Sequence, residues 1–237
     1  MSETLLQGDC LKLLNKIDDC SIDMILADLP YQMTARNKWD VIIPFDPLWD
    51  QYMRIIKDHG AIALFGDEPF ASELRLSNKK YYRYDWIWIK SKPTGFLNAK
   101  KMPLKNTETI SIFYKHLPMY NPQMKPGKPY VKGRKKNSTT NYGELKRDGK
   151  IINNGTRYPL KTIRFSSPIR TVHPTQKPID LLEYLIKTYT NEGMTVLDNV
   201  MGSGSTGVAA KKLNRNFIGM ELDKEYYEIA KQRINEA

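Results

Sequence analysis

The segment 195–222 constrains the fold more than any other part of the chain. An apolar run, Thr195–Val200, enters the turn Met201-Gly202-Ser203-Gly204-Ser205-Thr206-Gly207, an Ala-rich stretch ends at Leu213, and a second apolar run, Asn216–Leu222, follows. Glycines let a backbone pass close to a ligand and take positive φ, and the start of a helix presents unpaired N–H groups to a polar or negative partner. A strand, this turn and a helix therefore predict a cofactor cradle. Glu221, about 20 residues downstream in the next strand, can accept hydrogens from ribose hydroxyls, so the pair reads as a nucleoside site. Gly202, Gly204 and Gly207 also satisfy the G-x-G-x-x-G spacing, which leaves a dinucleotide open as the occupant.

The rest of the chain supports an α/β sheet, because apolar runs alternate with amphipathic ones. Strands are predicted at Thr4–Gln7, Ile22–Asp28, Ala61–Gly66, Tyr82–Lys90 and Glu108–Lys115, which with the two above make seven. Helices are predicted at Cys10–Ile17, Pro47–Lys57, Glu68–Ser77, Pro178–Thr190, Ser205–Leu213 and Lys224–Ile234. No helical pattern separates Tyr82–Lys90 from Glu108–Lys115, which predicts an antiparallel pair at a sheet edge. The stretch Leu117–Thr171 is rich in Pro, Gly, Asn, Lys and Tyr and poor in aliphatic residues, and it reads as an insertion outside the core. The expected organisation is thus a catalytic half over residues 1–116, an insertion over 117–171 and a cofactor-binding half over 172–237.

Charge is concentrated in that insertion. Between Lys115 and Arg170 fourteen Lys and Arg residues face only Glu144 and Asp148, a local surplus of +12 that leaves the remainder of the chain, with its net charge of +11, close to neutral. Clustered cations gain affinity for phosphates by releasing condensed counterions, so Lys132, Arg134, Lys135, Lys136 and Arg157 are candidate polyanion contacts. Lys92, in the stretch between the two edge strands, joins them. Cys10 and Cys20 have no CxxC spacing, and His59, His116 and His173 share no ligand spacing, so neither a disulfide framework nor a metal site is expected. No apolar run of about 18 residues occurs, which predicts a soluble, cytoplasmic protein with no membrane partner.

The strand Ile22–Asp28 runs into Asp28-Leu29-Pro30-Tyr31, which places a carboxylate, a restricted backbone and an aromatic ring at a strand's carboxyl end, where open α/β sheets bind ligands. This segment, Thr171-Val172-His173-Pro174-Thr175-Gln176-Lys177-Pro178, and Asp198-Asn199-Val200-Met201-Gly202-Ser203-Gly204, in that order, resemble the catalytic D-P-P-Y, the H-P-T-Q-K-P and the cofactor motifs of the β-class DNA amino-methyltransferases. The resemblance extends from Leu6 to Ile234, and the sequence is particularly similar to small phage and prophage-borne members. Two departures stand out: Leu29-Pro30 where the family has Pro-Pro, and Asp198-Asn199-Val200 where it has Asp-Pro-Phe.

The resemblance implies a seven-stranded Rossmann-like methyltransferase sheet with a reversed last strand, a permuted motif order and an inserted target-recognition region. It implies S-adenosylmethionine as cofactor, with Gly202, Ser203 and Gly204 holding the methionine part beside Asp198, Glu221 the ribose, Asp9 the adenine, and Thr175 with Lys177 the methionine carboxylate. Asp28, Leu29, Pro30 and Tyr31 form its catalytic segment. The implied activity is methylation of the N6 amine of adenine in double-stranded DNA within restriction-modification, with cytosine N4 or a catalytically dead nucleic-acid-binding module as alternatives. A homodimer and a cognate restriction nuclease are the further partners it brings into view.

Overall fold

Two strands decide the architecture. In Ile22–Ala27 (β2) Met24 and Leu26 join one core while Ile25 and Ala27 join another; in Ile56–Gly66 (β3) Ala61, Ala63 and Phe65 alternate in the same way with Ile62 and Leu64. A strand buried on both faces needs a helical layer on each side. The structure, a computed structural model, describes residues 2–31, 41–134, 138–139, 143–144, 149–168 and 176–237. Two compact units are present, one of Met1–Asn121 with Lys161–Ala237 and one of Pro122–Leu160.

The larger unit holds one eight-stranded sheet. Its other strands are Glu3–Gln7 (β1), Tyr82–Thr94 (β4), Lys105–Phe113 (β5), Thr162–Phe165 (β6), Thr195–Asp198 (β7) and Asn216–Glu221 (β8), and the order across the sheet is β1-β8-β7-β2-β3-β5-β4-β6. Pairing is parallel from β1 to β3; β5 alone is reversed, antiparallel to both β3 and β4. All seven predicted strands form. The eighth, β6, lies in the polar insertion and pairs parallel with β4, where Ile163 is 1% exposed and the Trp88 indole donates to the Phe165 carbonyl at 3.0 Å.

Helices Cys10–Leu14 (α1), Phe45–Ile55 (α2) and Phe70–Ser77 (α3) supply the core on one face; Ile179–Tyr189 (α4), Ser205–Lys212 (α5) and Lys224–Asn235 (α6) supply it on the other. Leu181, Leu182, Leu185, Ile186 and Tyr189 form the buried stripe of α4, at the three- and four-residue spacing that makes a helix amphipathic. The predicted helix through Lys57 stops at Ile55 because Ile56 pairs with Ile22 in the sheet. From β7 the chain winds through α5 to β8 on one side, and from β2 through α2 to β3 on the other. The neighbours β7 and β2, registered Val196 to Met24, are therefore the topological switch point, where ligands bind beyond the strands' carboxyl ends.

Among its described residues the smaller unit holds three two-stranded antiparallel ribbons: Lys125–Pro126 with Thr156–Arg157, Tyr130–Arg134 with Gly149–Asn153, and Ser138–Thr139 with Gly143–Glu144. Among the described residues, no helix is long and apolar enough to cross a membrane.

Candidate active site

Four strand ends of the larger unit converge on a cavity of about 350 Å³, within the usual range for small-molecule sites. Asp28, Leu29, Pro30 and Tyr31 follow β2; Asp198 through Ser203 follow β7; Glu221 ends β8; Gly8 and Asp9 follow β1; and all of them line it. Residues 170 positions apart in sequence thus share one wall, because the switch point sets β2 beside β7.

The segment Asp28-Leu29-Pro30-Tyr31 is buried on one side and open on the other. Leu29, where the family has proline, is 2% exposed and packs in the core beneath β2. Tyr31 stacks on Phe70, with ring centroids 5.2 Å apart and planes 23° from parallel. Burial, and then the Asp28 charge, push the Tyr31 phenol up, so it stays neutral. Asp28 Oδ2 accepts from Lys177 Nζ at 2.6 Å, whereas Asp28 Oδ1 is buried with no hydrogen-bond partner among the described residues. Burial raises the Asp28 pKa; the Lys177 charge opposes this and the Glu108 charge adds to it.

Lys177, expected at a methionine carboxylate, is held by two side-chain carboxylates. Its ammonium lies 2.6 Å from Asp28 and 3.0 Å from Glu108, and Glu108 also meets Lys90 at 2.7 Å, which gives a neutral chain of two carboxylates and two ammoniums. With only 10% of its side chain exposed, Lys177 sits where two anions compensate its lost hydration, its ammonium paired with both Asp28 and Glu108. Burial works against its charge, but Asp28 and Glu108 outweigh burial and hold it cationic. Glu108 meets the same burial penalty and is still pulled below the usual carboxylate range by Lys177 and Lys90.

The glycine-rich turn divides its labour. Gly202 and Ser203 line the cavity, and the Gly202 N–H donates to Glu221 Oε2 at 2.8 Å while the Asp223 N–H donates to Glu221 Oε1 at 2.8 Å. Glu221 therefore shapes the turn itself, and burial raises its pKa. Gly204, expected at the methionine part, lies outside the cavity lining. Its φ is +76°, and an added Cβ would stand 2.9 Å from the Ala230 Cβ, so this glycine lets α5 approach α6. Gly204→Ala is expected to lose about 2 kcal/mol or more of stability in urea unfolding. A loss below about 0.5 kcal/mol would contradict that packing role.

Asp198 is 4% exposed; its Oδ1 accepts from the Val200 N–H at 3.1 Å, and burial lifts its pKa to about 7. The Asp28 charge reaches Asp198 as well, which places both carboxylates in one electrostatic site. Asp9, expected at the adenine, lines the cavity and also caps α1 by accepting from the Leu11 N–H at 2.9 Å. Beside it, buried Asn199 accepts from the Tyr52 hydroxyl at 2.5 Å, and burial pushes the Cys10 thiol up.

The nucleic-acid candidates fall in different places. Lys92 and Lys132 are exposed on strand-bearing segments of different units. Arg157 is occupied within the smaller unit: its guanidinium donates to Asn153 Oδ1 and to the Thr156 and Lys128 carbonyls, and it lies 4.9 Å over the Tyr130 ring. Thr175, Lys135, Lys136 and the side chain of Arg134 lie outside the described residues. The sequence reading missed Glu108 and Lys90; an acidic residue in the apolar run Thr109–Phe113's approach was the one available signal.

The DNA methylase family of N6/N4 methyltransferases matches residues 22–232. The type II methyltransferase M2.LlaDCHI of Lactococcus lactis subsp. cremoris is 32% identical over 257 aligned residues, covering 98% of this chain and 88% of that protein. M.HpaI of Haemophilus parainfluenzae is 27% identical over 244 residues, covering 99% and 75%. The crystal structure of the M1.HpyAVI–SAM complex superimposes with a TM-score of 0.66 at 25% identity, over 98% of this chain and 99% of that one. The chain belongs to the N6/N4 DNA methylase family and is a site-specific DNA amino-methyltransferase of that class.

Proposed function

We propose that the chain methylates the N6 amine of adenine in double-stranded DNA, with Asp28 as the residue that activates the amine. The observation that carries this reading is the buried, unpartnered Asp28 Oδ1 on the wall of a cavity that also holds the Gly202-Ser203 turn and Glu221. S-adenosylmethionine is the cofactor, and when bound it supplies an electrophilic methyl group on a sulfonium.

The walls suit such a molecule. Glu221, Asp198 and Asp9 offer acceptors for ribose hydroxyls, an ammonium and an adenine amine, while Leu11, Val200 and Leu222 offer an apolar wall for a purine. Val200 stands where the family's aromatic is missing. An amine attached to a base is a poor nucleophile because its lone pair is delocalised into the ring. Asp28 Oδ1 and the Leu29 carbonyl can each accept one amine hydrogen, which favours a pyramidal nitrogen with its lone pair directed into the cavity. This is catalysis by positioning and fixed charge. Asp28 is also the group in reach of the proton that the amine sheds. The base has to leave the duplex, at roughly a few kcal/mol, and the Tyr31 ring, backed by Phe70, is a stacking surface for it.

Aspartate at position 28 favours adenine over cytosine. Mapping N6-methyladenine and N4-methylcytosine in DNA from cells expressing the protein tests this directly: methyladenine at one short sequence supports it, and methylcytosine alone overturns it. A second test concerns the cradle. Only ionised Asp198 attracts the cofactor's ammonium, so affinity measured by calorimetry should rise with pH as the carboxyl titrates at about 7. Asp198→Asn should bind more weakly and without that dependence; an unchanged profile would remove Asp198 from the cradle.

A further inference from the structure

The β4–β5 hairpin leaves the sheet on the active-site side. Because β5 is antiparallel to both β3 and β4, β4 runs parallel to β3 and β2, and its carboxyl end emerges at the edge where Asp28 lies. The base of the hairpin is fixed there twice. Lys90 and Glu108 belong to the ion-pair chain that reaches Asp28, and Lys105 Nζ pairs with Asp67, just after β3, at 2.9 Å. The arm from Glu108 to Lys105, at roughly 3.3 Å per residue, spans about 10 Å, comparable with the depth of a DNA groove.

Beyond that base every residue from Thr94 to Pro103 is exposed. The tip is nevertheless a built turn. Gly95, at φ +87°, opens a 3-10 turn over Phe96–Asn98, and the Asn98 N–H donates to the Gly95 carbonyl at 2.9 Å and the Lys101 N–H to the Asn98 carbonyl at 2.8 Å. On this turn Phe96 is 65% exposed, Leu97 101% and Met102 52%. Large apolar side chains clustered so openly mark an interaction surface. The sixteen residues from Ser91 to Asn106 carry four lysines, Lys92, Lys100, Lys101 and Lys105, and no acid. An apolar tip in a purely cationic collar is complementary to a polyanion with a stacked, apolar interior.

We propose that Phe96 and Leu97 form a wedge that enters the DNA duplex next to the target base, unstacks it and holds open the gap left by the extruded nucleotide, while the flanking lysines contact phosphates. The inference rests on the DNA methyltransferase reading above. It assigns to this hairpin, which the catalytic segment does not use, the opening of the duplex.

The test compares the full-length protein with Phe96→Ser/Leu97→Ser and with the apolar swap Phe96→Leu/Leu97→Phe, on amplified, unmodified duplex DNA with methyl-labelled S-adenosylmethionine. Both positions are exposed, so cofactor binding should stay within twofold in each variant and shows that the fold is intact. The serine pair is expected to lower methyl transfer to duplex at least tenfold without changing the salt slope of DNA binding, since no charge is removed; the apolar swap should retain most of the activity. A Leu97→Trp reporter should show a blue-shifted emission when duplex is added. Transfer by the serine pair within twofold of wild type, or a reporter unmoved by duplex, would overturn the wedge. So would a fall in self-association of the serine pair in sedimentation, which would make the tip a subunit contact. If the wild-type protein transfers no methyl to duplex at all, it is the methyltransferase reading that fails, and the reporter alone then judges the wedge.

Discussion

Asp28→Ala is expected to reduce methyl transfer by about 10³-fold or more, while S-adenosylmethionine still binds within a few fold of wild type. The magnitude follows from losing a preorganised acceptor, worth about 10²–10³ in rate, together with the nearest proton acceptor. Cofactor binding is expected to be spared because the proposed cradle residues, Gly202, Ser203, Glu221 and Asp198, line the cavity from strands β7 and β8 and the turn between β7 and α5, apart from β2. The isosteric Asp28→Asn sharpens the point. Asn keeps the shape and one acceptor oxygen but loses the charge. The Asp28 pKa is raised by burial, so its charged form is disfavoured in the fold, and above that pKa replacing it with a neutral group removes a stability penalty. Asp28→Asn should therefore melt no lower than wild type, provided Lys177 remains paired with Glu108, yet be severely impaired in turnover. A stable and inactive protein marks a residue held for chemistry at the expense of stability. Undiminished turnover with a titrated, folded variant would take Asp28 out of the mechanism.

Why Asp28 was legible in the sequence and Glu108 was not has a physical answer. Asp28 stands in a short contiguous motif at the end of an apolar run, and the strand prediction alone puts it on the ligand-binding edge. Asp198, Gly202 and Glu221 share that advantage, since β7, the turn and β8 are contiguous. Glu108 opens the predicted strand Glu108–Lys115 as an isolated acid, which reads equally well as a solvent-facing position. Its burial depends on Lys177, which arrives from 69 positions away, and on Lys90 across the hairpin. Long-range charge compensation leaves no periodic trace. The turn shows the opposite limit: its three glycines look alike in sequence, but Gly202 borders the cavity while Gly204 and Gly207 face α6 and Phe217, and only the packing distinguishes them. Strand β6 escaped because four residues, Thr162–Phe165, are too short to show an alternation inside a polar stretch, and their partner β4 supplies the order.

The second large effect is expected at Lys177. Replacing it with methionine keeps the buried length of the side chain and removes the cation between two carboxylates. Breaking one partner of a buried pair costs about 3–5 kcal/mol because the remaining charge is left uncompensated, and here two anions would face each other with only Lys90 nearby. Both would relieve the repulsion by taking up protons. For Asp28 the sign is plain: burial and Glu108 raise its pKa, Lys177 and, more weakly, Lys90 lower it, and without Lys177 only the weaker Lys90 charge opposes the raising influences. The acidic limb of the kcat/KM profile should then move to higher pH in Lys177→Met, because the amine needs an ionised Asp28 to accept its hydrogen. A lysine that merely held the methionine carboxylate would instead raise KM for the cofactor and leave that limb in place. The double variant Lys177→Met/Glu108→Gln separates the two contributions. Removing the second anion should recover much of the lost stability, with a coupling above about 1 kcal/mol in the double-mutant cycle, as expected for residues in direct contact. Activity should recover only in part, since Asp28 would still lack the cation that keeps it ionised. Additive losses of stability, or an acidic limb unmoved by Lys177→Met, would show that Lys177 and Glu108 do not act through Asp28.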